Sequence, residues 1–219
     1  MSNKLSLNYI DYIDIEPFKL ILESIDDEEW DKFDFRQKAF EAHKHTKTLP
    51  IIFDLDGTLA IIEKRRIKAG SPTGNKPVKS KMNWDVFFDA ENIKLDEPNH
   101  PVIKLAQMFH NDGFKVVIFS GRNDRSFHTT KDWLKLHNVP FDLLVMRPDK
   151  FKSDSWPIAD GNPATPDMRW MPDEILKKKM LDTFVDINDV FLVVDDRDKV
   201  VKMWRDLGLN TFQVAPGDF

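Results

Sequence analysis

The chain has 219 residues, of which 41% are hydrophobic and 32% charged, with no cysteine and a formal net charge of −5. That length suits one sizeable α/β domain plus a modest appendage, with roughly 70% of the unfolded surface buried on folding. The missing cysteines exclude thiol catalysis, disulfides and thiolate zinc sites, and no run approaches the ~18 apolar residues of a membrane span.

The charge is unevenly spread. Residues 1–34 carry ten acidic and three basic side chains, a balance of −7, so the remaining 185 residues sum to +2. Residues 1–48 read as a helical N-terminal extension, with Phe18, Leu22 and Ile25 at helical spacing and Trp30, Phe33 and Phe40 more loosely so. Its aromatics predict docking, either on the main domain or on a second subunit, and so allow a homo-oligomer built through the extension. The opening MSNKLSLNYIDYIDIEPF has no basic start followed by an apolar block. A soluble, cytoplasmic protein is expected.

From residue 49 to 219 the pattern changes to short apolar runs alternating with amphipathic stretches. The runs are Ile51–Phe53, Val116–Phe119, Leu143–Met146, Phe191–Val194 and Thr211–Val214. Short runs without polar alternation fit strands covered on both faces, as in a parallel sheet. One predicted helix opens after Asn99 with Pro101 in its first turn and closes at Gly113; others span about 127–138, 173–184 and 198–207. This alternation predicts an α/β, doubly wound, Rossmann-like fold with a mostly parallel sheet. Two insertions interrupt it, a small cap insertion at about 61–98 and a second loop at about 147–172. Both follow the carboxyl ends of strands, where such sheets bind ligands.

The first insertion opens a basic tract: positions 64–83 hold Lys64, Arg65, Arg66, Lys68, Lys76, Lys79 and Lys81 with no acidic residue, a local potential suited to an anionic ligand. GSPTGNK at 70–76 has neither the spacing nor the flanking elements of a phosphate-binding loop and reads as a plain loop. Trp84, Phe87 and Phe88 could stack on a base or simply fill the core.

Three predicted strands end in polar clusters: Asp54-Leu55-Asp56-Gly57-Thr58, Ser120-Gly121-Arg122 and Asp195-Asp196-Arg197. In a parallel sheet these ends converge on one crevice. Clustered carboxylates there call for a cation, and a hydroxyl with Arg and Lys groups suits a phosphate. Taken singly, each has a plainer reading: a strand-end Asp as a helix cap, Ser120 as a turn serine, Asp196 as a cap of the last helix.

IIFDLDGTLA, VVIFSGR, the lysine-bearing PDEILKKKML and FLVVDDRDK, in this order, resemble the four signature motifs of haloacid dehalogenase-type phosphatases over residues 50–219. The resemblance implies Asp54 as a nucleophile that becomes phosphorylated and Asp56 as general acid and base. It implies Ser120 as a phosphate ligand and Lys177 as the neutralising cation. It also implies one Mg²⁺ held by Asp54, Asp195, Asp196 and the backbone carbonyl of Asp56. Of three successive lysines only one can face the strand ends; the family spacing to Asp195 favours Lys177.

The stretch VVDDRDKVVKMWRDLGLNTFQVAPGDF, the PDE-x-x-K segment and Arg65, eleven residues after Asp54, further resemble the phosphatase domain of bacteriophage polynucleotide kinase–3′-phosphatase. That likeness implies substrate-binding roles for Arg65, Arg122, Ser120 and Gly121, although Arg65 also reads as a solvated charge of the basic tract. It implies removal of 3′-phosphate from DNA or RNA ends in nucleic acid repair, in a phage-infected host. The chain departs from that family in its kinase half, for which residues 1–48 are too short and carry no glycine-rich phosphate loop, so a phosphatase with no attached kinase is expected. Phosphate contacts of this kind recognise an end without reading bases. The competing expectations are a mononucleotide nucleotidase with the same chemistry and, from a different class, a non-catalytic nucleic-acid-binding module.

Overall fold

The computed structural model describes residues 49–70, 82–149, 155–156 and 164–217. The expected helical extension over 1–48, nearly all of the GSPTGNK loop, Lys76, Lys79, Lys81 and parts of the second insertion lie outside the described residues.

Five strands form one parallel sheet: β1 Pro50–Phe53, β4 Lys115–Asn123, β5 Leu143–Arg147, β6 Leu192–Asp195 and β7 Thr211–Gln213, in the order β5-β4-β1-β6-β7. β1 sits at the centre, pairing Ile51 with Val116 on one side and with Leu192 on the other. Its four residues are all buried because the sheet is covered twice. Ile51, Phe53, Val116, Ile118 and Leu144 pack under α4 (His100–Asn111) and α5 (Phe127–Leu136). Ile52, Val117, Phe119, Val145 and Val193 pack under α6 (Asp173–Phe184) and α7 (Asp198–Asp206). Alternate residues of each strand thus feed opposite cores, which is why the runs read as continuously apolar. No helix among the described residues is long and apolar enough to cross a membrane.

The first insertion is a compact cap. β2 (Ala60–Ile61) and β3 (Glu97–Pro98) pair antiparallel at its neck. Between them, among the described residues, lie three short helices, α1 Glu63–Lys68, α2 Trp84–Phe87 and α3 Ala90–Ile93. Asn83 caps α2 by accepting from the Asp85 and Val86 N–H groups. Met82, Phe87 and Phe88 press the cap against the α4/α5 core.

One strand departs from its expected end. β4 does not stop at Phe119 but continues through Ser120-Gly121-Arg122 to Asn123, and its register with β5 shifts between Ser120 and Asn123. Inside that irregularity the Arg122 N–H turns to Ser120 Oγ (3.1 Å), and Gly121 O accepts from Arg147 Nε (3.0 Å). Irregular ladders of this sort re-aim side chains at the rim of a sheet.

Candidate active site

Asp54 leaves β1 at its carboxyl end, with its N–H anchored on Val194 O (2.9 Å). Asp195 and Asp196 leave β6 beside it, and ligand oxygens of the three carboxylates lie within 4.8 Å of one another. Lys177, on the buried face of α6, bridges Asp54 Oδ1 (2.5 Å) and Asp195 Oδ2 (2.7 Å). The two lysines that follow point elsewhere; Lys178 is exposed and pairs with Asp182 along the helix. Asp195 also accepts from Trp204 Nε1 (3.2 Å), and Asp196 from the Thr58 hydroxyl (3.1 Å).

The electrostatics of this cluster follow from burial. Desolvation raises the Asp54 carboxyl well above its usual value, with Asp195 and Asp196 adding to the rise against the pull of Lys177. Burial and Asp195 push Asp196 up to about 6. Burial pulls the Lys177 pKa down, but Asp195 and Asp54 outweigh it and hold the pKa above the usual lysine value. Three buried carboxylates sharing one ammonium leave a surplus of negative charge in an all-oxygen cradle, the donor set of a hard divalent cation.

Asp56 stands two residues beyond Asp54, half-buried, in the grip of two guanidiniums. Arg65 Nη2 reaches its Oδ1 at 2.6 Å, and Arg122 reaches the same oxygen through Nη2 and through Nε (3.1 Å). Burial raises the Asp56 carboxyl, but Arg122 and Arg65 outweigh it and bring the pKa to about 2. Both arginines are shared with Asp96, from Arg65 Nε and Arg122 Nη2 at 2.9 Å each. There burial wins over the same two cations, and the Asp96 pKa rises to about 6.

The profile of the family described as "Polynucleotide kinase PNKP phosphatase domain" matches residues 78–159 and 161–219. The chain belongs to this family. Two solved structures agree: "Structure of Pnkp1/Rnl/Hen1 complex" (28% identity, TM-score 0.55, covering 80% of this chain and 48% of that one) and "Structure of the Pnkp1/Rnl/Hen1 RNA repair complex" (28%, 0.53, 80% and 45%). This chain therefore spans just under half the length of the chains it matches there. A predicted phosphatase from Clostridium acetobutylicum shares the fold at 14% identity and a TM-score of 0.50, over 76% of this chain and 84% of that one. Asp54 and Asp56 precede the matched residues; the sheet is what brings them to the matched Lys177, Asp195 and Asp196.

In this PNKP-type phosphatase domain the open crevice, about 370 Å³, is lined by Asp54, Asp56, Gly121, Lys177 and Asp196. Arg65, Arg122 and Ser120, expected to contact the substrate phosphate, are not brought to its wall. All three are fully buried, and the two arginines lie behind Asp56 with their donors turned to Asp56, Asp96, Phe87 O and Thr130 Oγ1. The physical reason is charge pairing: two carboxylates, Asp56 and Asp96, between them bind both guanidiniums and draw them inward, while Ser120 Oγ is taken up by the Arg122 N–H. The arginines that do line the crevice are Arg66, Arg125, Arg147, Arg169 and Arg197. Arg147 and Arg197 share Asp173 at the start of α6, and a Cβ on Gly121 would stand 2.8 Å from Asp173 Oδ1. Sequence reasoning passed over Arg147, Asp173 and Asp96. A charged residue ending LLVMR, a strand aimed at the same crevice, was the available signal for the first.

Gly57 makes the turn after Asp56 with φ +96, and a Cβ there would fall 2.2 Å from Asp196 Oδ2. Gly57→Ala forces both a left-handed Ala and a displaced carboxylate. The melting midpoint should drop on the order of 5 °C, with most activity lost. A midpoint within 1 °C or so of the parent (about the resolution of such a scan) would show that the turn relaxes freely.

Proposed function

We propose that this domain is a Mg²⁺-dependent phosphomonoesterase that removes 3′-phosphate from polynucleotide ends through an aspartyl-phosphate on Asp54. The observation that carries the reading is the grouping of Asp54, Asp195 and Asp196 around Lys177, with Asp54, Asp56, Lys177 and Asp196 lining the crevice. Asp54 is the nucleophile: its Oδ bonds to phosphorus as the P–O3′ bond breaks and the electron pair leaves with O3′. Asp56 gives O3′ its proton. An arriving phosphate dianion repels the Asp56 carboxylate and favours that proton's uptake. In the second step Asp56 takes a proton from water, whose oxygen displaces Asp54 from phosphorus and releases orthophosphate. Lys177 offsets charge on the phosphoryl group and keeps Asp54 in place. Asp54, Asp195 and Asp196, with the Asp56 carbonyl, would hold Mg²⁺, which would neutralise charge between two anionic reactants.

The polynucleotide part of the reading is supported by the family and by the Pnkp1/Rnl/Hen1 relatives, one of which is described as an RNA repair complex. A repair context for this chain is proposed on that ground. The deciding experiment is phosphate release with Mg²⁺ from a 3′-phosphorylated oligonucleotide, its 5′-phosphorylated isomer and a 3′-mononucleotide. The 3′-oligonucleotide should exceed both others in kcat/KM by on the order of tenfold or more, about 1.4 kcal/mol in the transition state. Equal or faster turnover of the mononucleotide would make this a nucleotidase with the same Asp54 chemistry.

A further inference from the structure

We propose that the crevice holds unpaired nucleobases between Trp84 and Trp170, so that the domain acts on single-stranded 3′ ends without regard to base identity. The inference rests on the 3′-phosphatase reading above and adds to it which part of the polynucleotide is gripped.

The two rings are large apolar groups left in water at the mouth of the reaction site. Trp84 is 49% exposed and Trp170 is 74% exposed, and both line the crevice that contains Asp54. They approach from opposite faces of the sheet. Trp84 belongs to α2 of the cap, whose Phe87 and Phe88 pack into the α4/α5 core. Trp170 follows Met168 and precedes Met171, both packed against the α6/α7 core. The strand ends carrying Asp54 lie between these two cores, so a chain end reaching Asp54 passes between the rings.

Each ring is held in place before any ligand arrives. Trp84 stacks on Phe88 (5.8 Å between centroids, 19° between planes) and meets Phe87 edge-on at 5.7 Å. Phe87 in turn lies under the buried Arg65 guanidinium at 4.1 Å. Trp170 carries the Arg169 guanidinium 4.9 Å over its ring. Its loop is fastened by Arg147 Nη1, which donates to the carbonyls of Met168 (2.9 Å), Arg169 (3.3 Å) and Met171 (2.6 Å). Fixed aromatic planes give up little entropy on stacking, and every base offers a π-face.

The polar lining suits a phosphodiester backbone better than base edges. Arg125, which reaches Asp85 of α2 at 3.3 Å, and Arg169 present partly exposed guanidiniums beside the rings. Asn123, the lining amide that could read a base edge, is already engaged: its Nδ2 donates to Asp149 and its Oδ1 accepts from the Arg125 N–H, both at 2.9 Å. A base within a duplex is stacked and paired, and freeing it costs energy that an already single-stranded end avoids.

The test compares kcat/KM of the unmodified protein on three 3′-phosphorylated DNA strands of one sequence. One is single-stranded, one has its last two bases removed with the sugar–phosphate backbone retained, and one is in a blunt duplex. Removing the bases, and separately pairing them, should each lower kcat/KM about tenfold or more. Changing the identity of the terminal base should alter it by less than about fivefold, since stacking tolerates any base. In Trp84→Ala and Trp170→Ala the ratio between intact and base-free strands should collapse toward one, and Trp84→Phe should restore it. Base-free strands turned over as fast as intact ones by the unmodified protein would overturn the clamp while leaving the 3′-phosphatase reading in place. An unchanged ratio in both Ala variants would do the same. Failure to hydrolyse any of the three strands, and equally their RNA counterparts, would overturn the 3′-phosphatase reading itself, and the clamp with it.

Discussion

Asp54→Asn should abolish turnover on every phosphate ester, by roughly 10⁴-fold or more, without loosening the fold. Asn has the same shape, and the backbone N–H of residue 54 remains bonded to Val194 O. Lys177 loses one carboxylate but keeps Asp195 at 2.7 Å. The exchange also removes one of three mutually repelling buried acids, the one whose pKa burial and its neighbours raise most clearly. In chelator, then, the variant should melt no lower than the parent. Added Mg²⁺ should raise the parent's midpoint more than the variant's, because an oxygen ligand of the cradle has been neutralised. Phosphate release, circular dichroism and melting with and without Mg²⁺ read these effects separately. Residual activity within about tenfold of the parent would place the nucleophile elsewhere.

Much of this was legible in the chain, for identifiable reasons. The five strands of the main sheet and the four longer helices stand at the predicted apolar runs and helical stretches, the extended end of β4 apart, because a sheet covered on both faces leaves a short, wholly apolar imprint. The strand-end clusters were legible because parallel topology brings the carboxyl ends of β1, β4 and β6 together. Long-range pairing was not. Arg65 belongs, by sequence, to a basic tract, and its neighbours Lys64 and Lys68 are indeed exposed. Its fate is decided by Asp96, 31 residues on, which no local pattern reveals. Trp84, Phe87 and Phe88 had two readings, and the structure divides them: Phe87 is buried in the core, whereas Trp84 is half-exposed on the crevice. The cap's elements are only two to six residues long, too short for periodicity to register.

Asp56→Asn should expose the two-step character of the reaction. The residue is asked to protonate a poor leaving group in the first step and to deprotonate water in the second. Asn can do neither, so a 3′-phosphorylated oligonucleotide should be hydrolysed about 10²- to 10⁴-fold more slowly. p-Nitrophenyl phosphate separates the steps, since its phenolate leaves without a proton. There the first step should survive and the second should stall, giving a burst of one p-nitrophenol per active site, then slow turnover and a phosphorylated protein isolable by mass spectrometry. Held at about 2 by Arg122 and Arg65 against the opposing effect of burial, Asp56 is ionised before substrate enters, so its acid role draws on the proton uptake that the arriving phosphate favours. Equal slowing of both substrates with no burst would mean that Asp56 serves the site by position alone, as the second anchor of the Arg65–Arg122–Asp96 network.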